Sequence, residues 1–149
     1  MRAVIQRVSE ASVSIDGHVY SKIQRGLLIL LGVANTDAEE DIIWLSKKIA
    51  NLRIFPGEKT KMNKTVVNIQ GQLLVVSQFT LCAKTRRGNR PSFIEAATSE
   101  QAFPLYENFV KRLSIDAEIP VLTGQFGVDM QVKLCNDGPV TILIDSKHK

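Results

Sequence analysis

The run Gly26-Leu27-Leu28-Ile29-Leu30-Leu31-Gly32-Val33 constrains the fold more than any other feature, because an extended segment of this kind carries apolar side chains on both of its faces. Such a strand has to lie inside a sheet that is covered from two sides. Its apolar reach, Leu27 to Ala34 with Gly32 inside, is far short of the roughly 20 residues that a membrane span needs. A chain of 149 residues can bury a core of its own but hardly two, so one domain over 1–149 is expected. With 44% hydrophobic and 23% charged residues, wholesale disorder is excluded, and 9 Gly and 5 Pro are too few for a fibrous or low-complexity chain. Arg2, Gln6 and Arg7 interrupt any secretory apolar stretch, which reads as a cytoplasmic protein.

The spacing around the central run yields further elements. Residues 2–8 and 11–15 mix β-branched with polar side chains, and Asp16-Gly17 offers the positive φ angles of a two-residue hairpin before 18–23. Thr36-Asp37-Ala38-Glu39 has capping-box spacing, and Ile42, Leu45, Ile49 and Leu52 recur at helical intervals, which predicts a helix over about 37–51. Its acidic first turn suits the positive end of the helix dipole. Pro56-Gly57 and the polar, basic stretch through Lys64 read as a loop, and Leu73 to Gln78 as a strand. Thr98 with Gln101 makes a second capping box ahead of Ala102, Tyr106, Phe109 and Leu113, so a second helix is expected over about 99–113. Pro104 inside it removes a backbone donor and offers an alternative start for the regular helix. Val128, Met130, Val132 and Leu134 alternate with polar residues as in a half-buried strand. Asn136-Asp137-Gly138-Pro139 then reads as a turn before a last strand over 140–145, and 147–149 as a fraying tail.

Several chemistries are excluded by what is missing. Cys82 and Cys135 stand apart without a CxxC spacing and read as two small buried hydrophobes. A Ser or Cys nucleophile needs an adjacent base, and His18 beside the hairpin and His148 near the last residue are poorly placed for that. The glycines match neither a P-loop nor a dinucleotide fingerprint, and no HExxH occurs, so neither cofactor nor metal is expected. The formal charge of +4 is mild, yet Lys84, Arg86, Arg87 and Arg90 fall within seven residues that contain no acid. This stretch suits a polyanionic partner as well as it suits a solvated loop.

Two polar segments remain: Ser77-Gln78-Phe79-Thr80-Leu81 and Asn136-Asp137-Gly138-Pro139-Val140-Thr141. Taken singly, the first is an ordinary strand end and the second a turn with a trans X-Pro bond. Together they fall in register with Ala3-Val4-Ile5-Gln6-Arg7-Val8, Ala11-Ser12-Val13, Gly26-Leu27-Leu28, Leu52-Arg53-Ile54-Phe55, Lys61-Met62-Asn63, Gly88-Asn89-Arg90-Pro91-Ser92-Phe93 and Gly124-Gln125-Phe126-Gly127. In this order, over essentially the whole chain, the blocks resemble those of the D-aminoacyl-tRNA deacylases. Departures are small: the loop Pro56 to Thr60 lacks the acid and glycine usual before Lys-Met-Asn, Cys82 replaces an aromatic, and Val128 stands where alanine is common. Ser77-Gln78-Phe79 favours this family over the related animal deacylases that act on mischarged L-alanyl-tRNA.

The resemblance implies a homodimer of three-layer α/β subunits, with mixed and antiparallel β-sheets, two main helices and active sites at the subunit interface. It implies hydrolysis of the ester joining a D-amino acid, or glycine mischarged on tRNA(Ala), to the terminal adenosine of tRNA, with L-aminoacyl-tRNA spared. Ser77, Gln78, Phe79 and Thr80 take the place of the family's catalytic segment, whose backbone amides shape the site. Gly138 and Pro139 inherit a cis peptide that enters the partner's pocket, holds the substrate amino group and blocks an L side chain, while Arg7 pins the Gly138 backbone. Lys84, Arg86, Arg87 and Arg90 are expected to meet the tRNA. An aminoacyl ester is activated, so positioned water and a stabilised oxyanion can cleave it, and Thr80, with no base nearby in sequence, is disfavoured as a nucleophile. The alternative is a non-catalytic RNA-binding dimer that shelters aminoacyl ends through the basic loop.

Overall fold

β1 (Arg2–Ile15) is the axis of the sheet. The computed structural model describes residues 1–58 and 61–149, so Lys59 and Thr60 of the Pro56–Thr60 loop lie outside the described residues. Asp16 and Gly17, at φ 49° and 79°, turn the chain into β2 (His18–Ile23), and β3 (Gly26–Gly32) follows almost end to end along the same edge of β1. The opposite edge of β1 pairs antiparallel with β8 (Gln131–Asp145), from Arg2 opposite Asp145 to Ser14 opposite Gln131. β6 (Gln72–Ser77) lies parallel to β3, and β7 (Val121–Thr123) parallel to β6.

Alternation along β1 sends its side chains to two cores. Ala3 and Ile5 join Leu27, Ile29, Leu31, Leu73 and Val75 under α1 (Glu39–Ala50) and α2 (Ser99–Ala117), where Ile42, Leu45, Phe109 and Leu113 are fully buried. The far half of β1 bends across the other face, and Val8, Ala11 and Val13 close a second core with Ile23, Leu28, Leu74 and Val76. Ser21 Oγ donates to the Thr123 carbonyl at 2.9 Å, tying β2 to β7 and nearly closing the sheet. The expectation for 26–33 is met: β3 feeds one core with odd residues and the other with Leu28. Each such side chain contributes about 1.5–3 kcal/mol on burial. No helix among the described residues is long and apolar enough to cross a membrane.

Five local expectations need correction. α1 starts at Glu39 with Ala38 as N-cap, because Asp41 reaches back to accept the Ala38 N–H at 2.9 Å while Asp37 turns away to the Ala34 N–H at 2.7 Å. α2 starts at Ser99 as expected, where the Thr98 side chain accepts the Gln101 N–H; the alternative start at Pro104 is not taken, because that residue sits on the solvent side, where the carbonyl it leaves without a donor is accessible to water. It also runs past 113 to Ala117, since Asp116 is held by Arg112 at 3.0 Å and by Ser46 Oγ at 2.6 Å. Phe55–Pro56 and Met62–Lys64 form a short antiparallel ribbon, β4 and β5, within the stretch that reads as loop. Asn136 to Pro139 does not turn the chain: β8 is continuous, with 137–140 looping out between the pairs Gln6–Thr141 and Val8–Asn136. Long pairing on both sides of this bulge leaves the turn residues no freedom to reverse the strand. Cys82 is buried as expected, but Cys135 is exposed on β8, which among the described residues pairs on one edge only.

The chain ends meet at the start of α1. The Met1 ammonium donates to Asp37 Oδ1 at 2.5 Å and to Ser146 Oγ at 2.6 Å, Ser146 donates to Asp41 at 2.7 Å, and Lys147 Nζ reaches Asp41 at 2.6 Å, so the tail is held as far as Lys147. Burial opposes the Asp41 charge, yet the bonds from Lys147, Ser146 and the Ala38 N–H outweigh it and lower its pKa to about 2. A depressed carboxyl pKa adds stability that is complete above the ordinary value near 3.8 and is lost as pH falls toward 2. Asp41→Asn is expected to lower the melting temperature at pH 7 by about 5 °C, on the order of 1–2 kcal/mol, and to flatten the decline between about pH 4 and pH 2. Acid melts of both proteins check it; an unchanged decline would contradict it.

Candidate active site

β6 carries four buried apolar residues, Leu73 to Val76, to the edge of the sheet and there releases a polar segment. The Gln78 N–H donates to the Leu31 carbonyl at 2.8 Å as the last tie to β3, and Phe79–Cys82 wind into a 3-10 turn. Gly32 presses against that turn: a Cβ there would lie 2.9 Å from Leu81 Cβ and 3.0 Å from the Gln78 carbonyl oxygen. The turn therefore sits where it does because residue 32 has no side chain.

Beside the turn opens a cavity of about 660 Å³. Ser77, Gln78 and Phe79 form one wall, Thr98, Ala102 and Tyr106 at the start of α2 a second, and Phe126 to Met130 a third. This is the carboxyl end of the parallel strands β3 and β6, the usual place for a ligand in such sheets. Among the described residues, the N–H groups of Phe79 and Thr80 donate to no acceptor, leaving two backbone donors at the first turn. Thr80 Oγ1 accepts from Gln78 Nε2 at 2.5 Å. An amide cannot take up a proton, so among the described residues no base is bonded to the hydroxyl. Burial pushes the Tyr106 phenol far above its usual range, and its O–H donates to the Val75 carbonyl at 3.0 Å, so it is a neutral part of the wall. Phe79 is 57% exposed and meets Phe93 edge-on with ring centroids 5.1 Å apart. His18 and His148 lie elsewhere, against the Asp16 carbonyl and Asp145.

The basic loop runs between the 3-10 turn and Phe93, and so connects two residues of the cavity lining, Phe79 and Phe93. Its ends are closed by Lys84 N–H to the Ser92 carbonyl at 2.8 Å and Ser92 N–H to the Lys84 carbonyl at 3.0 Å. Lys84 Nζ is paired with Glu95 at 2.5 Å, whereas Arg86, Arg87 and Arg90 are exposed and in no salt bridge among the described residues.

Gly138 and Pro139 are not in this cavity. They lie exposed on the β8 excursion, joined by a cis peptide. Arg7, 7% exposed, donates from Nε to the Asp137 carbonyl at 3.0 Å and from Nη1 to the Ile54 carbonyl at 2.6 Å. It thus holds the carbonyl that precedes Gly138, not one of Gly138 itself. The glycine is packed from the side, where a Cβ would meet Arg7 Nη2 at 2.7 Å, and its φ is +126°. At the foot of the excursion Asn136 Nδ2 donates to Gln6 Oε1 at 2.5 Å and to Thr141 Oγ1 at 3.0 Å, while Asn136 Oδ1 accepts the Val140 N–H at 3.0 Å. Gln6, Asn136 and Thr141 stand in the resembling blocks without an assigned role. Tyr106, Phe126 and Met130 fall on apolar patterns that read only as core, and no local signal marks them as cavity wall.

The order of the two motifs and their placement on one sheet match a known group over nearly the whole length: the profile of D-Tyr-tRNA(Tyr) deacylase aligns with residues 4–145. The chain belongs to the D-Tyr-tRNA(Tyr) deacylase family. It is an enzyme of the hydrolase class. Relatives named D-aminoacyl-tRNA deacylase from Bacteroides fragilis and Cytophaga hutchinsonii are each 59% identical over 149 residues, covering 100% of this chain and 99% of theirs. One from Chlorobaculum parvum is 54% identical and covered in full. Among solved structures, one titled c-Myc DNA Unwinding Element Binding Protein superposes with a TM-score of 0.91 at 41% identity, over 97% of this chain and 98% of that one. Another, titled as a probable eukaryotic D-amino acid tRNA deacylase, has a TM-score of 0.79 at 17% identity, over 96% and 97%, and shares the fold.

Gly32→Ala tests how the site is held. The added methyl has to displace the 3-10 turn by several tenths of an ångström, so the variant is expected to remain folded by circular dichroism while deacylase activity falls roughly tenfold or more. Parental activity in a folded variant would separate the turn from the chemistry.

Proposed function

We propose that this chain hydrolyses the ester between a D-amino acid and the terminal adenosine of tRNA in the cytoplasm, as a homodimer in which each cavity is completed by the Gly138–Pro139 excursion of the other subunit. One observation carries this reading: the chain has a cavity with unpaired backbone donors, and an exposed, tightly held excursion that does not reach that cavity. The ester carbonyl lies under the Phe79 and Thr80 N–H groups. Water adds to the carbonyl carbon, the oxyanion is held by the two amides, and the bond to the ribose oxygen breaks as that oxygen takes a proton. The neighbouring ribose hydroxyl assists. Free tRNA and the amino acid leave, and neither cofactor nor side-chain nucleophile enters the scheme.

Selectivity follows from sterics. The main chain at Gly138 and Pro139 binds the substrate amino group and occupies the direction in which an L side chain would project. Rejecting a side chain by a wall costs an intruder more than a missing contact does. Glycine has nothing to exclude, so glycyl-tRNA is a substrate. Lys84, Arg86, Arg87 and Arg90 meet tRNA phosphates.

Half-lives of D-tyrosyl-, L-tyrosyl- and glycyl-tRNA with and without the protein test the reading. The D and glycyl esters are expected to be shortened and the L ester spared, with a dimer in solution; L cleaved as fast as D would overturn it. A second reading is a nucleic-acid binder without catalysis, favoured by the arginines of the basic loop, unpaired among the described residues, for which all three half-lives would lengthen.

Thr80→Ala probes the chemistry itself. Because the Thr80 hydroxyl has only an amide for a partner among the described residues, the variant is expected to keep at least about a tenth of the parental kcat, whereas loss of a nucleophile costs many orders of magnitude. A trapped acyl-Thr80 species would refute the water mechanism.

A further inference from the structure

The carboxyl end of α1 carries cations to which the proposed reaction gives no role. Lys47, Lys48 and Arg53 are exposed and enter no salt bridge among the described residues. This contrasts with the start of the same helix, where Asp37 and Asp41 are matched by the Met1 ammonium and Lys147. The three cations border a groove of about 840 Å³ in which Glu40 is the one acid, with Trp44 half-buried in its floor. Lys48 Nζ lies 5.5 Å from the indole centroid. Three cations gathered around an aromatic ring, with Glu40 the one acid lining the groove and no salt bridge to any of the three among the described residues, repel one another and gain from an external polyanion.

The place of the groove indicates which polyanion. Arg53 adjoins Ile54, whose carbonyl takes the 2.6 Å bond from Arg7, and the same guanidinium holds the Asp137 carbonyl at 3.0 Å. The segment that carries Arg53 is therefore tied through one buried side chain to the base of the Gly138–Pro139 excursion, which places Arg53 on the same side of the chain as the excursion, with Lys47 and Lys48 preceding it at the end of α1.

We infer that Lys47, Lys48 and Arg53 form a docking surface for the phosphate backbone of the tRNA acceptor stem, beside the excursion. This rests on the function proposed for the chain. The Arg53 fork can bind a phosphate through two N–H groups and the lysines act as point charges, none of them reading base sequence. In the dimer, one substrate end is then flanked by two basic clusters from different subunits: the Lys84–Arg90 loop of the chain that owns the cavity, and the α1 end of the chain that supplies the excursion.

The test compares D-tyrosyl-tRNA with the D-tyrosyl ester of adenosine, which has the reacting end and no stem. In the triple variant Lys47→Gln/Lys48→Gln/Arg53→Gln, KM for the tRNA is expected to rise about tenfold at unchanged kcat. The slope of log kcat/KM against log salt should become shallower by up to about three units, roughly 0.9 for each phosphate that is no longer neutralised. Cleavage of the adenosine ester should match the parent. Lys47→Arg/Lys48→Arg should keep the parental KM and slope, and Arg53→Gln alone should remove about one unit, which keeps the test open if the triple variant is poorly folded. Unchanged KM and slope for tRNA, with the adenosine ester still cleaved, would overturn the docking surface and leave the proposed function standing. A parent that cleaves neither substrate would overturn both.

Discussion

The whole architecture depends on β1 being paired along both of its edges. β8 covers one edge from end to end, while β2 and β3 share the other, and the break between those two lies where β1 bends. A strand hydrogen-bonded on both sides cannot slip by one residue without sending Ala3 and Ile5 out of one core and Val8 and Val13 out of the other. The bend folds the sheet over itself, gives the parallel strands a second apolar cover, and leaves their carboxyl ends open beside α2.

That arrangement explains a site with so little side-chain chemistry. The segment after β6 is positioned by the sheet, by Gly32 and by the first turn of α2, and what it offers is main-chain N–H groups. The tightly held element of the other motif is also main chain, oriented by Arg7, Gln6, Asn136 and Thr141. Backbone donors and a backbone excursion are less easily deformed than side chains.

Much of this was legible in the residues. The two-faced run at 26–33, the hairpin at Asp16-Gly17 and the apolar faces of both helices follow from period and turn chemistry, which act locally. The errors came where a distant partner overrode a local preference. Thr36 lost the cap because Asp41 supplies a better one, α2 continued past 113 because Asp116 finds Arg112 and Ser46, and Asn136 to Pro139 stayed within a strand because β1 pairs on both sides of them. Ser77 to Thr80 stand out by motif order, and Ser77, Gln78 and Phe79 line the cavity, but no pattern within the segment could reveal that Tyr106 and Phe126 wall it too. That Arg7 reaches the backbone at Gly138 through the Asp137 carbonyl, in the peptide unit that leads into the glycine, is a detail only geometry supplies.

The excursion also bears on solubility. Among the described residues β8 pairs with β1 on one side only, so its other edge exposes a row of N–H and C=O groups along a 15-residue strand, and Leu134 and Leu143 beside it are 38% and 70% exposed. A long, flat edge of this kind is a template on which a stray chain can add as a further strand. The residues looped out at 137–140 divide that template into two short stretches, and Pro139 has no N–H to donate, so an incoming strand would lose register in the middle. The excursion therefore also protects the protein from aggregating through its own edge.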